Sequence, residues 1–141
     1  MSIRIEETYY PNSILKFRCY YNDANQFHRE DGPAYETYYS NGELQHSVWF
    51  LHGQIHREDG PAYEGFDLNG ILIHREWWIE GNLHRENGPA QESFISRGPD
   101  QITNAAYYLK GVHIAEAEYP RHISLLKLTT KNPAVKPHLT L

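Results

Sequence analysis

The chain has 141 residues, enough for one domain, of which 40% are hydrophobic and 22% charged, and this balance excludes a disordered polyelectrolyte. Its net charge of −5 disfavours non-specific binding to nucleic acids or anionic membranes, because both attract basic surfaces, and leaves room for a basic protein partner. Aromatic residues make up 13% of the chain, mostly tyrosine, which favours β-strands.

The start of the chain argues for the cytoplasm. Acidic residues, Glu6 and Glu7, occupy the region where a signal peptide needs an apolar run, and no later run approaches membrane-spanning length. The single cysteine, Cys19, excludes an internal disulfide and fits a reducing compartment. We therefore expect a cytoplasmic protein without membrane contact.

A heptapeptide, His-Arg-Glu-Asp/Asn-Gly-Pro-Ala, recurs at 28–34, 56–62 and 84–90, so the chain has a 28-residue period. Such a period is typical of stacked supersecondary units. Other positions follow the same period, including the acidic residues Glu36, Glu64 and Glu92. The residues that we expect to build the repeat are His28, Arg29, Gly32, Pro33, His56, Arg57, Gly60, Pro61, His84, Arg85, Gly88 and Pro89.

Each repeat contains an alternating apolar run, such as 44–51, which predicts a strand. Three turn signals flank it: Asn41-Gly42, for which we expect positive φ at both residues, His52-Gly53, and the Gly-Pro of the heptapeptide. A meander that repeats in one direction needs an even number of strands per unit, so one signal is a bend. We assign the bend to Gly-Pro, because proline removes a ladder donor. The repeat then has a strand near 43–51 and a kinked strand over 54–68.

The predicted fold is all-β: an elongated, twisted antiparallel meander of four to five stacked hairpin repeats with atypical capping ends. The repeat domain covers 1–118, with copies near 7–34, 35–62, 63–90 and 91–118 and an insertion of two residues within 99–101. Residues 119–141 leave the period. There we expect a last strand at 123–130 and a mobile tail from Lys131.

The segment Tyr-Tyr-Ser-Asn-Gly-Glu-Leu at 38–44, followed by an aromatic pair and X-Gly, resembles MORN-type repeats. The similarity is to the longer variant of bacterial immunity or antitoxin-like proteins. The heptapeptide is also similar to repeats of bacteriophage and giant-virus proteins. The resemblance spans roughly 7–118 and implies a MORN-like antiparallel sheet that binds other proteins.

The heptapeptide itself predicts structure rather than catalysis. Equivalent histidines of successive two-strand repeats lie about 10 Å apart, whereas zinc ligands all lie about 2 Å from one ion. We therefore expect no metal site and no cofactor. The glycine is expected to supply positive φ, the alanine to keep the bend thin, and the arginine to pair with Glu36, Glu64 or Glu92 of a neighbouring repeat. No catalytic motif accompanies the repeat, and we expect no enzyme.

Aromatic residues between the heptapeptides are the candidate binding site. Adjacent strand residues face opposite sides, so Trp77 and Trp78 cannot both lie in one core. Exposed Trp and Tyr beside Arg are typical of interaction hot spots. The candidate residues are Trp49, Trp77, Trp78, Tyr107, Tyr108 and Arg75.

Three functions remain open. The first is a non-enzymatic protein-binding module that inhibits or sequesters a partner, as an immunity protein or a viral or phage inhibitor does. The second is a self-assembling structural protein, including a homodimer through open sheet edges. The third is a small-ligand sponge or a hydrolase with a groove lined by His and Glu.

Overall fold

The computed structural model of the chain describes residues 1–95 and 101–131. These two ranges contain thirteen strands, one 3₁₀ turn and one α-helix. The strands are β1 (Arg4–Tyr9), β2 (Leu15–Tyr21), β3 (Tyr35–Tyr38), β4 (Leu44–Val48), β5 (Phe50–Leu51), β6 (Gln54–Ile55), β7 (Tyr63–Phe66), β8 (Leu72–Glu76), β9 (Trp78–Ile79), β10 (Asn82–Leu83), β11 (Gln91–Phe94), β12 (Ile102–Leu109) and β13 (Val112–Ile114). The 3₁₀ turn covers Glu116–Glu118 and the helix α1 covers Tyr119–Lys131.

Nine strands form one antiparallel meander in the order β1-β2-β3-β4-β7-β8-β11-β12-β13. Two small hairpins, β5–β6 and β9–β10, extend from it. The prediction of an all-β antiparallel meander is confirmed. Each 28-residue period adds two strands to the main sheet, because β4 and β8 occupy equivalent positions in successive repeats and are separated only by β7.

The two turn types of a repeat differ from the expectation. At Asn41-Gly42 only the glycine has a positive φ, 92°, and the Tyr39 carbonyl accepts a hydrogen bond from the Gly42 amide. This geometry fits a type I turn followed by a glycine bulge. At His52-Gly53 both residues have positive φ, 48° and 80°, as a type I′ turn requires. The tight two-residue turn is thus the X-Gly turn.

The predicted kinked strand over 54–68 is wrong in one respect. Residues 56–62 belong to no strand, so the heptapeptide separates β6 from β7 as a loop. The facing strand has a single residue, Trp49, between β4 and β5 at the same point. The seven residues form a loop that interrupts the pairing between β5–β6 and β4–β7, whereas the sequence predicted only a bend within one strand.

Both ends of the sheet depart from the repeat. At the N-terminus, Ser13 takes the place of Gly42, with φ 66° and the same hydrogen bond to the residue three positions earlier, Tyr10. At the C-terminus, the predicted strand at 123–130 is wrong, because these residues belong to α1. Tyr119 and Ile123, one helical turn apart, pack on Leu109 and Ile114. The helix therefore covers part of the last hairpin, β12–β13.

Two further predictions concern residues outside the described ranges. The turn at Gly98 and most of the insertion at 99–101 lie there, as does the tail after Lys131. Among the described residues, no helix has the length and apolar character needed to cross a membrane.

Candidate functional site

The three heptapeptide loops, residues 28–34, 56–62 and 84–90, are anchored in the same way. The amide of His56 donates to the Trp49 carbonyl (3.1 Å), and the Trp49 amide donates to the Ala62 carbonyl (2.7 Å). Tyr20 and Trp77 make the same two hydrogen bonds with the first and third loops. The closing alanines, Ala34, Ala62 and Ala90, are completely buried, which agrees with the predicted need for a thin residue.

An arginine closes each loop over an aromatic ring. The Nε of Arg57 donates to the Asp59 carboxylate (2.8 Å), its Nη1 donates to the Pro61 carbonyl (3.1 Å), and its guanidinium lies 4.1 Å from the centre of the Trp49 ring. Arg29 lies 4.3 Å from the Tyr20 ring and Arg85 lies 3.6 Å from the Trp77 ring, with equivalent bonds inside their loops. The arginine is thus part of the loop framework.

This arrangement corrects the predicted role of the glycine. Of the three loop glycines only Gly88 has a positive φ, 157°, whereas Gly32 and Gly60 do not. A Cβ on Gly32 would lie 2.7 Å from Cζ of Arg29, and one on Gly60 would lie 3.0 Å from Cζ of Arg57. Glycine is needed because the guanidinium packs directly against the loop backbone.

A histidine joins each loop to the next repeat. The Nδ1 atoms of His28, His56 and His84 accept hydrogen bonds from the first residue of the following type I′ turn, at 3.1, 3.1 and 3.0 Å. The donors are the amides of His52, Glu80 and Lys110. Since Nδ1 is an acceptor, the neutral ring carries its proton on Nε2. That nitrogen faces the loop glutamate, at 3.7, 3.8 and 3.4 Å in the three loops.

The expected pairing of loop arginines with Glu36, Glu64 and Glu92 holds for one of the three. Arg85 pairs with Glu92 (3.2 Å), whereas Arg29 and Arg57 pair with Asp31 and Asp59 of their own loops. In the third loop Asn87 replaces the aspartate, so the guanidinium finds its carboxylate in the neighbouring strand. Glu92 is buried and also accepts from Arg75.

Two half-buried glutamates of the sheet have opposite electrostatics. Burial raises the pKa of the Glu64 carboxyl, and the nearby Arg57 and Arg75 offset only part of this effect. Burial acts in the same direction on Glu76, but hydrogen bonds from His74, Trp78 and Gln91 outweigh it and lower the pKa. The three donor distances to Glu76 are 2.9, 2.7 and 2.8 Å. Hydrogen bonds therefore favour the charged form of Glu76, whereas burial disfavours the charged form of Glu64.

Open grooves lie along the row of loops. The groove between the first and second loops has a volume of about 630 Å³ and is lined by Arg29, Trp49, His56, Arg57 and the acids of both loops. The groove between the second and third loops, of about 550 Å³, is lined in the same way around Trp77 and also includes Lys127 of α1. A third, of about 450 Å³, lies beside the first loop, around Tyr20. The grooves thus recur with the repeat.

One carboxylate per repeat is not used by the loop framework. Glu30, Glu58 and Glu86 are 78%, 86% and 52% exposed, and in the described part of the chain they accept no hydrogen bond. They line the grooves. Successive glutamates are separated by two strand spacings, about 10 Å. The row therefore presents an aromatic ring and a free carboxylate at each step.

The structure brings together only part of the predicted binding site. Trp49 and Trp77 lie in successive grooves, each half-buried beneath an arginine. Arg75 packs on Trp77 and Phe94 and bonds Glu92 within the sheet. The other three predicted residues line none of the three grooves.

The indole N–H of Trp78 donates to the Glu76 carboxylate. Glu76 follows Arg75 in the strand, so its side chain lies on the face of the sheet opposite Arg75. Tyr107 packs on Tyr119 at 4.8 Å between ring centres, and Tyr108 packs on His113 at 5.2 Å. Trp78 and Tyr108 therefore lie apart from Trp49 and Trp77. Tyr107 continues their row by register but is covered by Tyr119.

Glu30, Glu58 and Glu86 were not among the predicted binding residues, although the third functional hypothesis placed His and Glu along a groove. The available signal was the position of Glu in the heptapeptide. It lies between the histidine and the Asp or Asn that accepts from the arginine, and it makes no hydrogen bond within the loop. Within residues 1–95 and 101–131, no group of three His, Cys, Asp or Glu side chains has a geometry that could hold a metal ion. Comparison of the chain with protein-family models, curated protein sequences and solved structures finds no match.

Proposed function

We propose that this protein is a non-enzymatic binding module that holds a basic protein segment along the row of loop grooves. The observation that carries the proposal is that each repeat contributes one half-buried aromatic ring and one exposed loop glutamate to the row of grooves. Aromatic grooves flanked by carboxylates suit a ligand with apolar stems and cationic ends. Inhibition or sequestration of the protein that carries the segment is the role that such binding serves.

The spacing of the row indicates the conformation of the segment. Successive grooves are about 9.6 Å apart, which is two strand spacings. A polyproline II helix advances about 9.3 Å in three residues and returns each third residue to the same side. In an extended β-strand, side chains three residues apart point to opposite sides, so only every second one would face the grooves. The geometry therefore favours a polyproline II segment with Lys or Arg at every third position.

The use of the repeated polar residues supports binding rather than catalysis. Each loop histidine accepts a backbone hydrogen bond at Nδ1, and each loop arginine is bonded within the loop. A general base needs a free acceptor nitrogen directed at a substrate. These histidines direct only Nε2 toward the groove, where the neutral ring carries a proton.

The proposal is tested with a fluorescent peptide of four Pro-Pro-Lys units. We expect saturable binding that weakens as salt is raised, because the paired charges are exposed. A peptide of the same composition with its four lysines placed together is the spacing control. Equal affinity for the two peptides would contradict the match between the row and the ligand.

A charge variant locates the binding face. Replacing Glu30, Glu58 and Glu86 by Gln should weaken binding about tenfold, since each exposed ion pair contributes only a fraction of that factor. The matched control replaces three other exposed glutamates, Glu43, Glu116 and Glu118, and makes the same change in net charge. Binding that falls equally in both variants would show attraction to net charge alone.

A further inference from the structure

The N-terminal edge of the main sheet is open. All six residues of β1 are exposed, and Ile5 and Tyr9 remain 54% and 53% accessible. Beyond β1 no described strand pairs with this edge. An exposed edge strand presents unpaired amides and carbonyls that can template a further strand.

The hydrogen bonds of β2 show which residues of β1 point outward. Tyr20 uses its amide and carbonyl on the side away from β1, with Ala34 and His28. Ile5 lies opposite Tyr20 in the β1–β2 pairing, so this pair exchanges no hydrogen bond. The amide and carbonyl of Ile5 therefore face the open edge, and those of Ile3 and Glu7 do too because the direction alternates along a strand.

Charge then selects one register for pairing of β1 with a second copy of itself. When Ile5 lies opposite the partner's Ile5, Arg4 lies opposite the partner's Glu6, and this happens twice by symmetry. Shifting the centre to Arg4 places two arginines opposite each other, and shifting it to Glu6 or Glu7 places two glutamates opposite each other. Like charges directly opposite are destabilising, and opposite charges are favourable. The amide and carbonyl of Ile5 also face outward. In this register the two Ile5 residues can therefore donate to and accept from each other, as an antiparallel hydrogen-bonded pair requires.

We propose that the protein forms a symmetric dimer in which two β1 strands pair antiparallel about Ile5. The two nine-stranded sheets then join into one. The two-fold axis is perpendicular to the sheet, so the loop grooves of both copies lie on the same face and a dimer presents two rows of them.

The other free edge does not offer the same match. The C-terminal edge of the sheet consists of β13 and of the first part of β12, 102–106, which pairs only with β11; neither segment contains Asp, Glu, Lys or Arg. Pairing of β1 with either segment would join molecules head to tail into open chains, without the two Arg4–Glu6 contacts. Charge therefore favours the closed dimer over a filament.

The first test is a complementary pair of charge variants, measured by sedimentation velocity at several concentrations. Arg4→Glu places Glu opposite Glu, and Glu6→Arg places Arg opposite Arg, so each variant alone should be monomeric while the wild type dimerises. Mixed in equal amounts, the two variants should form a heterodimer, because each position then faces the opposite charge. A wild type that stays monomeric up to millimolar concentration, single variants that still dimerise, or a mixture that stays monomeric would each overturn the proposal.

A second test uses the outward direction of Ile5. Ile5→Pro removes an amide that has no hydrogen-bond partner in residues 1–95 and 101–131 and places the ring at the dimer axis, so it should give a folded monomer. Ile5→Cys should give a disulfide-linked dimer on oxidation, since hydrogen-bonded antiparallel neighbours have Cα atoms about 5.5 Å apart. Thr8→Cys, on the same strand but away from the axis, is the control and should not cross-link to itself. Cross-linking at position 8 instead of position 5 would show a different register, and assemblies larger than a dimer would show head-to-tail pairing.

Discussion

At the scale of single residues, the contact that defines this protein is an arginine held between an aromatic ring and a glycine. The guanidinium stacks on the ring, and its hydrogen bonds to the loop replace those it would make with water. The glycine allows this contact by lacking a Cβ. The sequence predicted that the glycine matters but for a different reason, because a Gly-Pro pair is usually a turn signal and its tertiary neighbour is invisible in the chain.

Gly32→Ala tests this contact. The new Cβ would displace the Arg29 guanidinium, 2.7 Å away, and we expect a loss of about 1 kcal/mol in the free energy of unfolding. The cost is modest because the mobile end of a side chain, rather than backbone, gives way. Urea denaturation measures it.

The control for this prediction is a double-mutant cycle. In an Arg29→Ala background, Gly32→Ala should cost almost nothing. Gly65→Ala, where the nearest atom to a Cβ is 3.6 Å away, should be neutral or stabilising in the wild type. An equal loss with and without Arg29 would mean that backbone strain, not the guanidinium, makes glycine necessary.

Glu64 and Glu76 of the sheet give predictions of opposite sign for the free energy of unfolding. Glu64→Gln should stabilise the protein at pH 7 by on the order of 1 kcal/mol, because the buried carboxylate carries a charge that its pKa shift shows to be unfavourable. Glu76→Gln should destabilise by about 1–2 kcal/mol, because three hydrogen bonds to a carboxylate are weakened.

The pH dependence separates the two variants further. The pKa of Glu76 is lowered, so its stabilisation is present above its ordinary pKa and is lost as pH falls through the folded value. The pKa of Glu64 is raised, so its penalty appears as pH rises through the folded value. Denaturation at pH 7 and at about pH 4 should show both effects shrinking in acid. A Glu64→Gln variant that destabilises at pH 7 would contradict the assignment.

At the scale of elements, the loop histidine ties each heptapeptide loop to the turn of the following repeat. Nδ1 of His56 accepts from the Glu80 amide 24 residues later, and Nδ1 of His84 accepts from the Lys110 amide 26 residues later, so the contact is kept across the two-residue insertion. Alternation and turn residues are local signals, so the sequence predicted that each repeat adds two strands, but it continued the second strand through the heptapeptide, which forms a loop. It did not predict that the histidine reaches into the following repeat, since that contact spans 24 residues.

His56→Asn and His56→Ala form a matched pair. The Asn side-chain oxygen can occupy the position of Nδ1 and keep accepting from the Glu80 amide, whereas Ala leaves that amide without its partner. We expect Ala to cost about 1 kcal/mol more than Asn in urea denaturation. Faster hydrogen exchange at the Glu80 amide in the Ala variant only would identify the lost bond. Equal exchange in both variants would show that the histidine acts by packing.

The C-terminal element shows where sequence reasoning failed for a recognisable reason. The strand predicted at 123–130 is part of α1 instead, and Pro120 lies in the first turn of this helix, where proline is favourable. Tyr119 and Ile123 are spaced by four, which places both on one helix face. The Tyr119 hydroxyl donates to the Arg85 carbonyl (2.5 Å) and accepts from the Gly88 amide (3.2 Å), so the helix also fixes the third loop.

At the scale of the whole molecule, the protein is a sheet whose stability comes from contacts between successive repeats. Its buried positions are mostly small or polar, including Ala34, Ser47 and Ala62, and the largest apolar cluster lies under α1. A sheet of this kind leaves most large side chains half-exposed, which suits a binding surface. The 28-residue period predicted the architecture. The proposed binding face could not be predicted in the same way, because it depends on which polar side chains are already hydrogen-bonded within the loops.

The measurement that tests the binding proposal most directly is a ¹H–¹⁵N titration of the tryptophan indoles with the Pro-Pro-Lys peptide. The chain has three tryptophans, two in the grooves and one, Trp78, whose indole is bonded to Glu76. We predict that the indole signals of Trp49 and Trp77 shift together, with one apparent affinity, while that of Trp78 stays in place. A shift at Trp78 alone, or no shift at Trp49 and Trp77 under conditions where the peptide binds, would contradict the assignment of the loop grooves as the binding site.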